Sequence, residues 1–133
     1  MSVGKETNIS ELGNIPCNFE VKNTVNQIEI LQNTDVFITH CGMNSVNESL
    51  YYGVPMVLFP QQSEQGAVAQ RVSDLGAGIK LKKNRSEVIK EAVSIIINNK
   101  NYKNKAKEIG ESFRKAGGAK KGADTILRII ESN

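Results

Sequence analysis

The 133-residue chain has no tryptophan, three prolines, two cysteines and a single histidine, and aromatic residues make up only 5% of it. Each shortage closes off a class of protein. One histidine and two cysteines, Cys17 and Cys41, too far apart for a CxxC pair, supply no ligand set for a structural zinc, so no metal site is expected. The two thiols read as reduced, which fits a cytoplasmic location. No apolar run approaches the ~18 residues that span a bilayer, and the N-terminus lacks a basic segment followed by an apolar one. No integral membrane segment is therefore expected. The only Gly-Lys pair, Gly4-Lys5, lacks Walker spacing and precedes Glu6, which excludes a P-loop.

Charge is present in both signs but unevenly. Residues 1–79 carry three Lys or Arg against eight Asp or Glu, whereas residues 80–133 carry fourteen against six. The basic residues are interleaved with acids in helical patterns and have few aromatic neighbours. They read as a solvated helix surface, and no nucleic-acid partner is expected.

Two short apolar runs, Val36-Phe37-Ile38-Thr39 and Met56-Val57-Leu58-Phe59, predict strands buried on both faces, as in a parallel sheet. Between them, residues 44–52 predict a helix stopped by Gly53 and Pro55. Residues 25–32 predict a short helix with Val25, Ile28 and Leu31 on one face. Residues 64–75 predict another, with Ala67, Val68, Val72 and Leu75 inward and Gly76 and Gly78 at its end. Residues 79–81 and 19–21 predict short strands, and Ser2 and Val3 the stub of one. After residue 84 only helices are expected. Asn84 and Glu87 mark a capped start, followed by an apolar face of Val88, Ala92, Ile95 and Ile96. Tyr102, Ala106, Ile109 and Phe113 mark a second helix, which Gly117 and Gly118 break. Ala123, Ile126, Ile129 and Ile130 mark a third. Alternating strands and helices define an α/β fold with a parallel sheet flanked by helices and a helical C-terminus.

The loop His40-Cys41-Gly42-Met43-Asn44-Ser45 leaves the C-terminal end of a buried strand and enters a helix. Ligands bind at that edge of open α/β sheets, and a helix N-terminus offers free amides and a positive dipole end to phosphate. Gly42 allows close approach, and Asn44, Ser45 and His40 add donors. Two readings stand open for Glu48: the partner of Ser45 in a capping box, or a carboxylate that accepts ribose hydroxyls. His40 has a plainer alternative too, a strand-end histidine bonded to a neighbouring loop. Pro60-Gln61-Gln62-Ser63-Glu64-Gln65 ends the next strand. It reads either as a polar loop with Ser63 capping a helix, or as planar amide and carboxylate groups for sugar hydroxyls.

Thr39-His40-Cys41-Gly42-Met43-Asn44-Ser45, Glu48, Tyr52-Gly53-Val54-Pro55-Met56 and Glu64-Gln65 together resemble the donor-binding signature of family 1 UDP-sugar glycosyltransferases, which include macrolide, plant and glucuronosyl transferases. The likeness runs from about Ser2 to Gly78 and onward to the last helix. The resemblance implies a single Rossmann-like domain, residues 1–133, of the two-domain (GT-B) architecture, namely the C-terminal nucleotide-sugar domain, with its first strand clipped. It implies that His40, Gly42, Asn44 and Ser45 hold the diphosphate, aided by Ser2 and Gly4 of a Ser-x-Gly loop. Glu48 would take the ribose, Val25 and Gln27 the base, and Glu64 and Gln65 the transferred sugar. Thr24 stands where the family has a stacking aromatic, and Asn26 where it has proline, so the base is not fixed as uracil.

The resemblance implies inverting hexose transfer to an acceptor hydroxyl with no cofactor and no metal. It places the catalytic base on an N-terminal acceptor domain, the expected partner, either covalent or as a separate subunit. The isolated chain is then expected to bind donor without transferring it. An exposed cleft face and last helix also make a homo-oligomer possible. Other readings are a subunit of a split lipid-linked N-acetylglucosaminyl transferase, a non-catalytic nucleotide-binding module, and a sugar-nucleotide epimerase.

Overall fold

In a computed structural model describing residues 1–132, the chain forms two compact units, Met1–Asn33 and a second that begins at Thr34. In the first, Ser2 and Lys22 form an isolated parallel bridge. The strand expected at residues 19–21 is absent. Phe19 is exposed, and pairing is confined to the bridge, where Val3 N donates to the Lys22 carbonyl and Gly4 N to that of Asn23. A 3-10 turn, Ile9–Leu12, follows the first bridge partner. Helix α1, Gln27–Gln32, starts two residues later than expected. Of its supposed apolar face only Leu31 is buried, whereas Val25 and Ile28 are exposed.

The second unit holds a three-stranded parallel sheet in the order β1 (Phe37–Thr39), β2 (Met56–Leu58), β3 (Gly78–Lys80). Helices α2 (Met43–Tyr51) and α3 (Ser63–Asp74) connect the strands, and α4 (Ser86–Asn98), α5 (Lys100–Lys115) and α6 (Gly118–Glu131) follow them. β2 is buried along its whole length, as its unbroken apolar run implies. β1 departs from that expectation because it is an edge strand. Thr39 is buried but Ile38 is 50% exposed.

Leu58 on β2 faces a core of Cys41, in the turn before α2, with Val46, Leu50, Ala69, Val72 and Ala106 from α2, α3 and α5. Val57 faces the opposite core, with Ala92 and Ile96 of α4. Helices therefore cover both faces of the sheet, the arrangement predicted by the alternating pattern. Two inward assignments fail: Ala67 and Ile95 are exposed, and Ala69, Ile89 and Val93 pack instead.

Helix α2 ends as its sequence demands. Gly53 adopts φ 65° and donates to the Leu50 carbonyl, and the buried Ser49 hydroxyl donates to the Val54 carbonyl at 2.9 Å. The start of α4 differs from expectation: Arg85, not Asn84, is the N-cap. Glu87 turns its carboxylate onto its own backbone amide and the Ser86 hydroxyl, which together hold it below the usual carboxylate range. It therefore does not reach back to residue 84. Helix α5 is capped by Asn99, whose Oδ1 accepts from Asn101 N at 3.0 Å.

Most basic residues of the C-terminal half lie on solvated faces, Lys80 and Lys103 being half-buried. Lys82, Lys83, Arg85, Lys90, Lys120 and Lys121 are all exposed. No helix among the described residues is long and apolar enough to cross a membrane. Helix α6 buries none of its residues, and Ile126, Leu127, Ile129 and Ile130 are 55–65% exposed. Contiguous apolar surface of that kind associates. The chain is expected to sediment with a concentration-dependent mass, and Ile126→Lys combined with Ile130→Glu should return it to a monomer. A wild-type chain that stays monomeric at all concentrations would refute this.

Candidate functional site

The last residues of the three strands, Thr39, Leu58 and Lys80, are in register, so the sheet presents an even C-terminal edge. Two turns rise from it next to each other: residues 40–42, which lead into α2, and residues 59–62, which lead into α3. Phe59 N donates to the Thr39 carbonyl at 2.8 Å and joins the two turns at their base.

The first turn is sharper than its sequence suggested. Cys41, not Gly42, carries the left-handed backbone, with φ 71°. This conformation is costly for a side-chain-bearing residue, and it persists because its surroundings over-determine it. Thr39 is buried and its Oγ1 accepts from Cys41 N at 3.1 Å, while the Cys41 thiol is fully buried and donates to the Thr39 carbonyl at 3.5 Å. Burial pushes the Cys41 thiol up, opposed in part by a backbone hydrogen bond from Phe59 and by the Lys80 charge. The thiol is therefore neutral and packs as a small apolar group. In the folded chain a disulfide reagent at mildly alkaline pH is expected to label Cys17, which is exposed, and to reach Cys41 only on unfolding. Two equally fast thiols would contradict this packing.

Gly42 is the N-cap of α2 in extended conformation, with φ −61° and ψ 134°. It is glycine for a steric reason: a Cβ there would lie 2.8 Å from Nε2 of His40. The imidazole thus rests over the turn, beside the helix start. The capping-box alternative placed Ser45 at the N-cap of α2, and Gly42 holds that position instead. Ser45 is the third helical residue, and the glycine at the N-cap offers no side-chain cap of its own. The first intrahelical bond runs from Val46 N to the Gly42 carbonyl, so the amides of residues 43–45 precede the backbone ladder. Asn44 is exposed, and Ser45 and Glu48 are half-buried. Glu48 lies three and four residues beyond Ser45 and Asn44, so the three share one helix face, with Glu48 about 6 Å further along the axis.

The second turn ends in α3. Ser63 is not its cap. Gln62 is the N-cap, and Gln65 Oε1 accepts from Gln62 N at 3.2 Å and from Gln61 N at 2.9 Å. Glu64 is exposed in the first turn, and Gln65 is buried. Orienting Oε1 onto two backbone amides fixes the Gln65 amide plane and leaves Nε2 as its donor end.

Within the first unit, Ser2 is one bridge partner and Gly4 lies two residues beyond it, while Val25 and Gln27 follow the other partner, Lys22. Asn23 joins the two sides, a role for which its sequence context gave no signal. Its Nδ2 donates to the carbonyls of Gly4 (2.9 Å) and Thr7 (2.6 Å), and its own carbonyl accepts from Gly4 N and, at 3.0 Å, from Ser2 Oγ. Gly4 has φ 90°, with open space where a side chain would project. Gln27 opens α1. Among the described residues no three of His, Cys, Asp and Glu cluster as a metal site.

A parallel sheet covered by helices on both faces, with turns entering helices at its C-terminal edge, defines an α/β domain of Rossmann type. Over residues 3–116 the chain matches the erythromycin biosynthesis protein CIII-like C-terminal domain, and it belongs to that family. It is 44% identical to the uncharacterized UDP-glucosyltransferase YojK of Bacillus subtilis across 98% of this chain and 33% of that protein. It is 39% identical to the NDP-glycosyltransferase YjiC of the same organism, across all of this chain and 34% of the relative. Among solved structures, the glycotransferase of kitacinnamycin superposes with a TM-score of 0.88 at 33% identity, over 96% of this chain and 34% of the other. The likeness to family 1 transferases is thereby borne out, and the fold is one half of the two-domain GT-B architecture. The chain spans about a third of the length of these relatives.

Proposed function

We propose that residues 1–133 are the donor-binding C-terminal domain of a glycosyltransferase that moves a hexose from a nucleoside diphosphate, with UDP the first candidate, to an acceptor hydroxyl with inversion. The observation that carries this reading is the start of α2. A helix N-terminus with glycine at its N-cap stands at the sheet's C-terminal edge, with Asn44, Ser45 and Glu48 on one face. The amides of residues 43–45 and the helix dipole suit the diphosphate, with His40 and Gly42 beside them. Glu48, further along the axis, suits the ribose hydroxyls, and Glu64 with the Nε2 end of Gln65 suits those of the sugar. In the first unit Ser2 and Gly4 are assigned to phosphate, and Val25 and Gln27 to the base, on the family resemblance.

As the bond to the sugar breaks, negative charge grows on the departing diphosphate. Amides already aimed at it stabilise that charge without reorganising, so no metal is needed. Donor binding is therefore expected to be equal in magnesium and in chelator. The base that deprotonates the acceptor is assigned to the acceptor domain that the longer relatives have room for. These 133 residues alone are expected to bind donor without transferring the sugar.

Titration with UDP, TDP, GDP and their sugars, followed by NMR, tests the reading. Shifts centred on residues 40–48 are expected, and the ranking identifies the base. No shift at millimolar ligand would sink it and favour a non-catalytic interaction module.

A further inference from the structure

Lys80 ends β3 in register with Leu58, so its side chain leaves the sheet at the C-terminal edge, on the face that packs against α3. Its ammonium donates to the Gly66 carbonyl at 3.2 Å and to Gln70 Oε1 at 3.3 Å. Both acceptors are neutral. Asp74 is reached only through Gln70, whose Nε2 donates to Asp74 Oδ1 at 2.8 Å. The ion pairs among the described residues are Lys22 with Glu20 and Lys105 with Glu108, and Lys80 has none. Ordering a lysine costs much rotamer freedom, and surface lysines ordinarily remain solvated. This one is half-buried and spans from strand to helix.

What it ties is the first turn of α3. Gly66 follows Gln65 directly, and the space where a side chain would project is open, so the turn has nothing of its own to pack at that point. A succession of contacts runs from Lys80 to Gly66, then along the backbone to Gln65, whose Oε1 holds the amides of Gln61 and Gln62. We propose that Lys80 is a positioning residue that clamps the first turn of α3 to the sheet and so presents Glu64 and Gln65 to the sugar of the donor. This deepens the donor-site reading and rests on it for the identity of the ligand.

The test uses the whole chain, isotope-labelled, with UDP and UDP-glucose as probes. In Lys80→Met, amide exchange at Gln61, Gln62 and Gln65 is expected to speed up about tenfold while Val57 and Leu58 stay unchanged. A general loss of stability would instead speed up both sets. Affinity for UDP-glucose is expected to fall about fivefold, with UDP altered by less than about twofold. Lys80→Arg should restore both, since a guanidinium reaches the same acceptors. Unchanged exchange in Lys80→Met, or equal losses for UDP and UDP-glucose, would overturn the clamp. A wild-type chain that binds neither probe would remove the donor-site reading, and the exchange experiment would still decide whether Lys80 fixes the turn.

Discussion

Asn44→Asp is expected to weaken nucleotide-sugar binding about 30-fold while leaving the fold slightly more stable, the two effects having opposite signs. Asn44 is the second residue of α2, in the turn whose amides lack helical partners, and its side chain is exposed. The substitution replaces an amide by a carboxylate of nearly the same shape. A negative charge there interacts favourably with the helix dipole, by about 0.3–1 kcal/mol. The same charge would face the dianionic diphosphate of the proposed donor at close range, and at the effective dielectric of a protein surface the expected repulsion is about 2 kcal/mol after screening. Thermal unfolding and nucleotide titration of the same sample read the two effects separately. Undiminished affinity would remove α2 from the phosphate site. Lower affinity together with a lower melting point would indicate damage to the helix and not repulsion.

Gly110→Ala should be the most destabilising methyl addition in the second unit. Gly110 is buried in α5 where that helix crosses the end of α2. A Cβ there would run into the Leu50 carbonyl oxygen and come within 3.0 Å of that of Tyr51. Both obstacles are backbone, fixed by the helix and by Arg114, whose Nη1 donates to the Tyr51 carbonyl at 2.6 Å while its guanidinium sits 5.5 Å from the Tyr51 ring centre. Helix propensity alone would favour the alanine by ~1 kcal/mol. Overpacking against rigid backbone outweighs that gain, for a net loss of about 2–3 kcal/mol. The expected drop in melting temperature is about 10 °C. A melting point equal to or above the wild type would show that α5 moves away from α2 at little cost.

The parts of this fold that were legible in the sequence are those in which one physical requirement dominates. Residues 56–59 are apolar without interruption, and β2 is the strand covered by helices on both faces. Gly53 and Pro55 end α2 because no other pair terminates a helix so firmly. The failures occur where several requirements compete. Propensity favours Ser45, Ser63 and Asn84 as caps, yet Gly42, Gln62 and Arg85 occupy those positions. The strand ends set where each helix can begin, and the first turn is completed from there. The positive φ at Cys41 had no signal in the sequence, because it depends on the buried Thr39 hydroxyl capturing the Cys41 amide.

The proposed site residues form a set through their spacings, not one by one. Residues 40, 42, 44, 45 and 48 lie in or just before a single helix and are brought together by its geometry alone. Asn23 and Lys80 act through backbone carbonyls distant in sequence, Gly4 and Gly66, and a carbonyl carries no residue identity to be read.

The backbone hydrogen bond from Phe59 to Thr39 has a practical consequence. Together with the contact of Phe59 to the Cys41 thiol, it joins the turn assigned to phosphate to the turn assigned to sugar at their base. Beyond it the second turn is held by contacts of its own, from Gln65 and Lys80. Residues 60–66 thus form a cassette. On the proposed donor-site reading, a segment of equal length grafted between Phe59 and Ala67 is expected to exchange one sugar preference for another without retuning the leaving-group side, provided that it keeps a glutamine at 65 and a carbonyl within reach of the lysine.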